Sequence, residues 1–258
     1  MHGFKALIFD VDGTVADTER DGHRPAFNAA FAEAGLDWRW DPELYGELLA
    51  VTGGKERIRY FMDRFDIALD PAVDLDAFVA RLHRDKTRHY LALLREGAIP
   101  LRPGVLRLWR EARAAGIRLA IATTTTPENV VELLANVGVP GLPDWFDVIA
   151  AGDVVPLKKP APDIFDFALE RLGLAPEDCV VIEDSDNGAR SALAAGIRAL
   201  VVTVNGYTAG QDFGAAALVV DQLGEPEVPS KALVGDLDDR PLVDLAGLER
   251  LHRQVQAG

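Results

Sequence analysis

The sequence predicts an α/β protein: a Rossmann-like parallel sheet with helices on both faces, interrupted by an inserted all-helical cap domain. Three observations predict it. Short apolar runs recur at Ala6–Phe9, Arg118–Ala122, Val148–Ala151, Val180–Ile182 and Ala199–Val204, each bounded by turn-forming or polar residues. Helical patterns separate the last four, at Pro127–Val137, Pro162–Leu172 and Gly188–Ala195. Strands alternating with helices make βαβ units and hence a parallel sheet. The third observation is a break in this rhythm. From Asp17 to about Gly97 no run reads as a strand, and apolar residues recur at helical spacing: Phe27, Ala30, Phe31 and Ala34, then Ile58, Phe61, Met62 and Phe65, then Phe78, Leu82, Tyr90, Leu93 and Leu94. The expected division is residues 1–16 and 97–258 for the core and 17–96 for the cap, with hinges at Thr14–Ala16 and Gly97–Leu101.

The first strand carries the strongest chemical signal. Ala6-Leu7-Ile8-Phe9 ends in Asp10-Val11-Asp12-Gly13-Thr14. Side chains of an extended chain alternate faces, so Asp10 and Asp12 point the same way. Open α/β sheets bind ligands beyond the carboxyl ends of their strands. Two carboxylates held close repel unless one is protonated or a cation lies between them. The pair implies a metal, an acid/base pair, or both. A calcium loop fits poorly, because Thr14 stands where an EF-hand needs a further acid or amide. A strand ending in plain turn-forming residues is the remaining structural reading.

The later strand ends add polar groups in turn. The second runs into Thr123-Thr124-Thr125-Thr126 and then Pro127, which opens a helix. A threonine there can bond a phosphate oxygen, with the helix N-terminus adding free N–H groups, or it can simply cap the helix. After the third strand comes Lys158-Lys159-Pro160. Proline biases the residue before it to an extended pose, which places the Lys159 ammonium at the edge of the site. The fourth strand ends in Glu183-Asp184, oxygen donors of the kind magnesium prefers.

Composition excludes several classes. Of the 258 residues 48% are hydrophobic, which supports a sizeable core. The formal net charge of −14 argues against nucleic acid or an anionic membrane as partner. No apolar run is long enough to span a membrane, and no secretory signal pattern opens the chain. Cys179 is the single cysteine, so an intrachain disulfide is excluded and a reducing cytoplasm fits. The segment after Leu223, rich in Pro, Gly and Asp, carries no functional expectation. A monomer is the favoured state.

In order and spacing the four segments Asp10-x-Asp12-Gly-Thr, Thr123, Lys159-Pro and Glu183-Asp184 resemble the four motifs of the haloacid dehalogenase superfamily. The helical insert resembles that superfamily's C1 cap. Dehalogenating members lack the second Asp, so Asp12 points to phosphoryl transfer. The resemblance implies a phosphatase in which Asp10 is the nucleophile and Asp12 the acid and base. It also implies that Thr123 and Lys159 position the transferring group, and that Mg2+ is held by Asp10, the Asp12 carbonyl, Glu183 and Asp184.

In the cap, Thr52-Gly53-Gly54-Lys55-Glu56-Arg57 lies between two helical patterns. Cations at a helix N-terminus oppose its dipole, and an anionic ligand would resolve the conflict. A glycine stop followed by solvated charges is the plain alternative. With Asp17-Thr18-Glu19 and Trp38-Arg39-Trp40-Asp41, the run resembles the CbbY-type phosphatases of Calvin-cycle organisms, which act on xylulose 1,5-bisphosphate, an inhibitor of Rubisco. That resemblance implies substrate contacts from Glu19, His23, Gly53, Gly54, Lys55, Glu56, Arg57, Lys86, Thr126 and Asn129. A beta-phosphoglucomutase and a phosphoglycolate phosphatase share the fold and motifs and stay open as alternatives. A non-catalytic sensor of a phosphorylated ligand is the alternative outside the enzymes.

Overall fold

The computed structural model describes residues 3–51, 53–238 and 240–257, so Thr52 lies outside the described residues. The chain divides into two compact units, residues 1–17 with 100–258, and residues 18–99. Both junctions fall beyond the expected boundaries of 16/17 and 96/97, for local reasons. The Asp17 carboxylate pairs with Arg102 of the core at 3.4 Å. Ile99 is buried, and with Tyr90 it fills the space beside Gly22 of the cap.

The core is a seven-stranded sheet in the order β3-β2-β1-β4-β5-β6-β7. Its strands are β1 (Ala6–Phe9), β2 (Arg118–Thr123), β3 (Val148–Ala151), β4 (Cys179–Glu183), β5 (Leu200–Thr203), β6 (Leu218–Val220) and β7 (Ala232–Val234). The first six run parallel, and β7 joins the edge antiparallel. β1 is central: Ala6 pairs with Arg118 on one side and Cys179 on the other. A strand buried on both faces has to be continuously apolar, and Ala6-Leu7-Ile8-Phe9 is buried throughout.

Alternation sorts these side chains. Ala6 and Ile8 face a core shared with α7 (Asp163–Leu172) and α8 (Asp186–Ala194), including Ile164, Phe165, Ala168 and Ala192. On the opposite face Phe9 meets Trp109 of α5 (Val105–Ala114) edge-on, ring centroids 5.6 Å apart. Burying one such large side chain contributes about 1.5–3 kcal/mol. α6 (Pro127–Asn136) links β2 to β3. The segment after Leu223 is not featureless: it supplies β7 and a helix, α9 (Leu245–Ala257), with Leu248 and Leu251 buried.

The cap unit is helical: a π-helical turn at Glu19–His23, then α1 (Arg24–Glu33), α2 (Pro42–Leu48), α3 (Gly54–Arg64) and α4 (Leu75–Arg95). The Asp41 carboxylate caps α2 by accepting from the Leu44 amide, with Pro42 in the first turn. The Asp74 carboxylate caps α4 through the Asp76 and Ala77 amides. Phe27, Phe31, Trp40 and Phe61 make an aromatic centre, Trp40 lying 4.6 Å from Phe27 and 5.4 Å from Phe61. Asn28 locks the Trp40 backbone from both sides, donating to its carbonyl and accepting from its amide. Among the described residues no helix is long and apolar enough to cross a membrane.

Candidate active site

Strand order reverses at β1: β2 and β3 lie on one side and β4 to β7 on the other. Ligands of open α/β sheets bind at such a point. The sequence places its acids there. Asp10 follows β1, and its amide donates to the Ile182 carbonyl at 3.0 Å, carrying the pairing one residue past the strand. One carboxylate oxygen from each of Asp10, Glu183 and Asp184 lies within 4.8 Å of the others, and all three residues are buried.

Lys159 stands inside this cluster, not at its edge. Its Nζ donates to Asp10 Oδ1 at 2.7 Å, to the Ala122 carbonyl at 2.9 Å, and to Glu183 Oε1. Burial works against its charge, yet Asp10 and Glu183 outweigh that and raise its pKa. Burial pushes the Asp10 carboxyl up to about 7, against the pull of Lys159 and with help from Glu183 and Asp12. Asp184 is held well above the ordinary carboxylate range by burial, then by Glu183 and Asp10. Hard oxygen donors that share a space and resist ionisation fit a divalent cation, which would favour their charged forms. Glu183 also has a local duty, since its Oε2 accepts from the Asp184 amide at 3.0 Å.

The threonine run divides its work. Thr123 ends β2, buried, its Oγ1 accepting from the Thr125 amide at 3.3 Å. Thr126 is exposed and caps α6, its Oγ1 accepting from the Asn129 amide at 3.4 Å. The Asn129 side chain donates to Thr125 Oγ1 at 3.2 Å.

Two further residues, Asn205 and Arg102, hold the loops of the core cluster, and sequence reading missed them. Asn205 Nδ2 donates to Asp184 Oδ2 at 2.6 Å and to the Gly13 carbonyl at 3.4 Å. Gly13 has φ +89°, and a Cβ there would lie 2.3 Å from Asp184 Oδ2, so only glycine lets the loop pass this close. Arg102, buried, donates to the Gly13, Thr203, Val204 and Asp221 carbonyls. Asn205-Gly206 reads as an ordinary turn. Arg102 sits in Leu101-Arg102-Pro103-Gly104, where it reads as a surface cation.

The cap unit has its own cluster. Arg57 and Lys86 are each only 8% exposed. Lys86 Nζ lies 2.8 Å from His23 Nδ1 and about 5 Å from the ring centres of Phe27 (5.0 Å) and Tyr90 (5.1 Å). His23 stacks on Tyr90 with centroids 3.9 Å apart. Arg57 donates to the Tyr45 hydroxyl at 2.9 Å and the Val51 carbonyl at 3.3 Å. Tyr45 in turn donates to Glu19 Oε2, which lies 3.9 Å from Arg57. Tyr45, also missed, falls at a helical apolar position and reads as core.

His83 joins them: a Cβ on Gly54 would lie 2.6 Å from its ring. Burial first, then Lys86, holds both His23 and His83 below their ordinary pKa. Glu19, His23, Arg57 and Lys86 thus come together, while Gly53, Lys55 and Glu56 are exposed at the start of α3.

A buried carboxylate at the end of the central strand, an acidic cluster around it and an inserted helical unit define a phosphatase of the haloacid dehalogenase type. The chain belongs to the haloacid dehalogenase-like hydrolases, whose family pattern matches residues 4–196. Within the family it is similar to CbbY proteins. It is 48% identical to the plasmid-borne CbbY protein of Cupriavidus necator, over 96% of each chain. The crystal structure of CbbY from Rhodobacter sphaeroides with phosphate superposes with a TM-score of 0.73 at 49% identity, over 85% of this chain and 94% of that one. A variant of the same protein with xylulose-(1,5)bisphosphate gives a TM-score of 0.76 at 46% identity, over 95% and 99%.

Proposed function

We propose that this phosphatase is magnesium-dependent and removes one phosphate from xylulose 1,5-bisphosphate through an aspartyl-phosphate. The observation that carries the substrate is the pair of buried cations in the cap unit, Arg57 and Lys86, present in addition to Lys159 of the core. A monophosphate needs one set of cations; a bisphosphate gives both sets an anion. The similarity to a CbbY crystallised with xylulose-(1,5)bisphosphate supports the same reading. The lone, buried Cys179 fits a cytoplasmic enzyme.

In this reading an Asp10 carboxylate oxygen attacks phosphorus while the bond from phosphorus to the sugar oxygen breaks. Asp12 gives its proton to that leaving oxygen. Water then attacks the phosphorus of the aspartyl-phosphate. Asp12 takes a proton from the water, and the bond to Asp10 breaks to release inorganic phosphate. Lys159 offsets charge on the phosphoryl oxygens and keeps Asp10 aimed, and Thr123 positions the group with its hydroxyl. A magnesium ion held by Asp10, Glu183, Asp184 and the Asp12 carbonyl would screen the attacking carboxylate from the anion it attacks. In the cap, Arg57 and Lys86 take the phosphate that is not cleaved. Glu19 contacts the sugar, while His23, Lys55 and the Gly53–Glu56 turn border it. Thr126 and Asn129 border the transferred group.

The test is kcat/KM with magnesium on xylulose 1,5-bisphosphate, hexose phosphates, phosphoglycolate and an aryl phosphate. The bisphosphate should lead by about tenfold or more, the worth of one charge-assisted hydrogen bond. Interconversion of hexose phosphates without phosphate release would make the chain a mutase. A bisphosphate no better than the monophosphates would sink the substrate assignment.

A further inference from the structure

Arg102 lies where the chain re-enters the core after the cap. Its backbone amide donates to the Val15 carbonyl at 2.9 Å, and Ala16 bridges to Leu101. Its guanidinium gathers oxygens from the segments after β1, β5 and β6, and the first two of these adjoin the acidic cluster. Nη1 donates to the Gly13 carbonyl, to the Thr203 carbonyl at 2.9 Å and to Thr203 Oγ1 at 3.1 Å. Nη2 donates to the Val204 carbonyl at 2.6 Å and the Asp221 carbonyl at 2.7 Å. Nε lies 3.4 Å from the Asp17 carboxylate. This use of a planar, five-donor fork is one an ammonium cannot reproduce.

The convergence matters because of what adjoins each acceptor. Gly13 follows Asp12 and presses against Asp184, with no room for a Cβ. Asn205, next after Val204, holds Asp184 Oδ2 at 2.6 Å. The cation bonded to the acids is Lys159, which donates to Asp10 and Glu183, whereas Arg102 donates to carbonyls, so Arg102 works through the backbone it holds. We infer that Arg102 is a positioning residue for the cation site: by clamping the Gly13 carbonyl to the end of β5 it sets the Asp12–Gly13 peptide and Asp184 at a fixed separation. The inference rests on the magnesium reading above.

Arg107 supplies the control. It too holds carbonyls, donating to Val243 at 2.8 Å, Gly224 at 3.0 Å and Leu223 at 3.2 Å, but these belong to the C-terminal segment. The experiment follows the melting temperature of Arg102→Lys, Thr203→Val and Arg107→Lys as magnesium is titrated, with kcat at saturating magnesium alongside. All three should melt below the wild type without magnesium. Arg102→Lys should raise the half-saturating magnesium concentration by about tenfold, the scale seen when a partner behind a metal ligand is removed. Thr203→Val should raise it by a smaller factor, and Arg107→Lys should leave it unchanged. Excess magnesium should restore most of kcat in the first two. A lowered melting temperature with the wild-type magnesium midpoint would make Arg102 purely structural and overturn the inference. If Arg102→Lys does not fold, Thr203→Val decides by the same criterion. A wild type that magnesium does not stabilise overturns the magnesium reading and this inference together, whereas a normal wild-type response with unshifted variants overturns this inference alone.

Discussion

The core and the cap both bury cations, and they surround them differently. In the core, Lys159 is enclosed by Asp10, Glu183 and a backbone carbonyl. Its neighbours have more negative charge than it can offset, so Asp10 is pushed up to about 7 and Asp184 well above its usual range. In the cap, Lys86 rests on Phe27, Tyr90 and the His23 ring, and Arg57 on Tyr45 and the Val51 carbonyl with Glu19 nearby. There the field runs the other way: His23 and His83 are held below their ordinary pKa, by burial and then by Lys86. One cluster has an excess of negative charge, the other of positive charge. On the function proposed above, chemistry belongs to the first and recognition to the second.

The sharpest break in that comparison is Asp10→Asn. Turnover should fall on the order of 10^3-fold or more, as when an enzyme loses its nucleophile. The melting temperature at pH 8 should not fall, because burial and the neighbouring carboxylates disfavour the Asp10 charge. Substantial residual kcat would take the nucleophile role away from Asp10.

Lys159→Met should damage both properties. It leaves Asp10 and Glu183 buried without their cation, which costs about 3–5 kcal/mol when one member of a buried pair is removed. The rate should drop on the order of 10^2- to 10^3-fold from lost charge stabilisation. A variant as stable as the wild type would show that the cluster does not depend on Lys159.

Substitutions in the cap should separate substrates. Arg57→Met and Lys86→Met should each lower kcat/KM for the bisphosphate roughly ten- to a hundredfold, equivalent to about 1.5–3 kcal/mol, and barely change an aryl phosphate. Lys55→Ala should lose less, since Lys55 is exposed and water screens its charge. Equal losses on both substrates would assign the cluster to cap folding.

The histidines give a pH signature. Both fold with depressed pKa values, so the stability they contribute is present above the unfolded value of about 6.5 and is lost as pH falls through the folded values. Asp10, raised in the fold, has the opposite dependence over part of that range. The informative measurement is therefore the difference between wild type and His23→Gln in melting temperature from pH 7.5 to 5. The wild type should lose more on acidification. Parallel curves would remove His23 from the account.

The smallest effect should come from the lysine next door. Lys158 pairs at 2.5 Å with Asp153, whose side chain is 98% exposed. Lys158→Ala should change stability by about 0–1 kcal/mol. A loss like that of Lys159→Met would show that the whole loop, and not the buried ammonium, sustains the site.

Much of this architecture is legible in the sequence, for identifiable reasons. β1 keeps its expected bounds because a doubly buried strand must be apolar from end to end, and β3, at the sheet edge, keeps them as well. The acids of the core are legible because strand ends are where the sheet presents side chains to a ligand. Arg102 is not, because it acts on carbonyl groups, which every residue has and no sequence pattern marks. Tyr45 is hidden for another reason: its ring is part of the aromatic centre, and only its hydroxyl reaches Glu19. α9 escapes because the Pro, Gly and Asp that precede it dominate the composition of the segment.

The central position of β1 has a consequence for synthesis. Its two neighbours begin at Arg118 and Cys179. A ribosome adding about 5–20 residues per second needs several seconds to reach the first of them, and longer to reach the second. During that interval the cap, whose residues are consecutive, can be completed, while Ala6-Leu7-Ile8-Phe9 has no strand to pair with. The Ala6–Phe9 segment thus stays apolar and unpaired through the synthesis of the whole cap, and its second neighbour arrives only after Cys179 has been added.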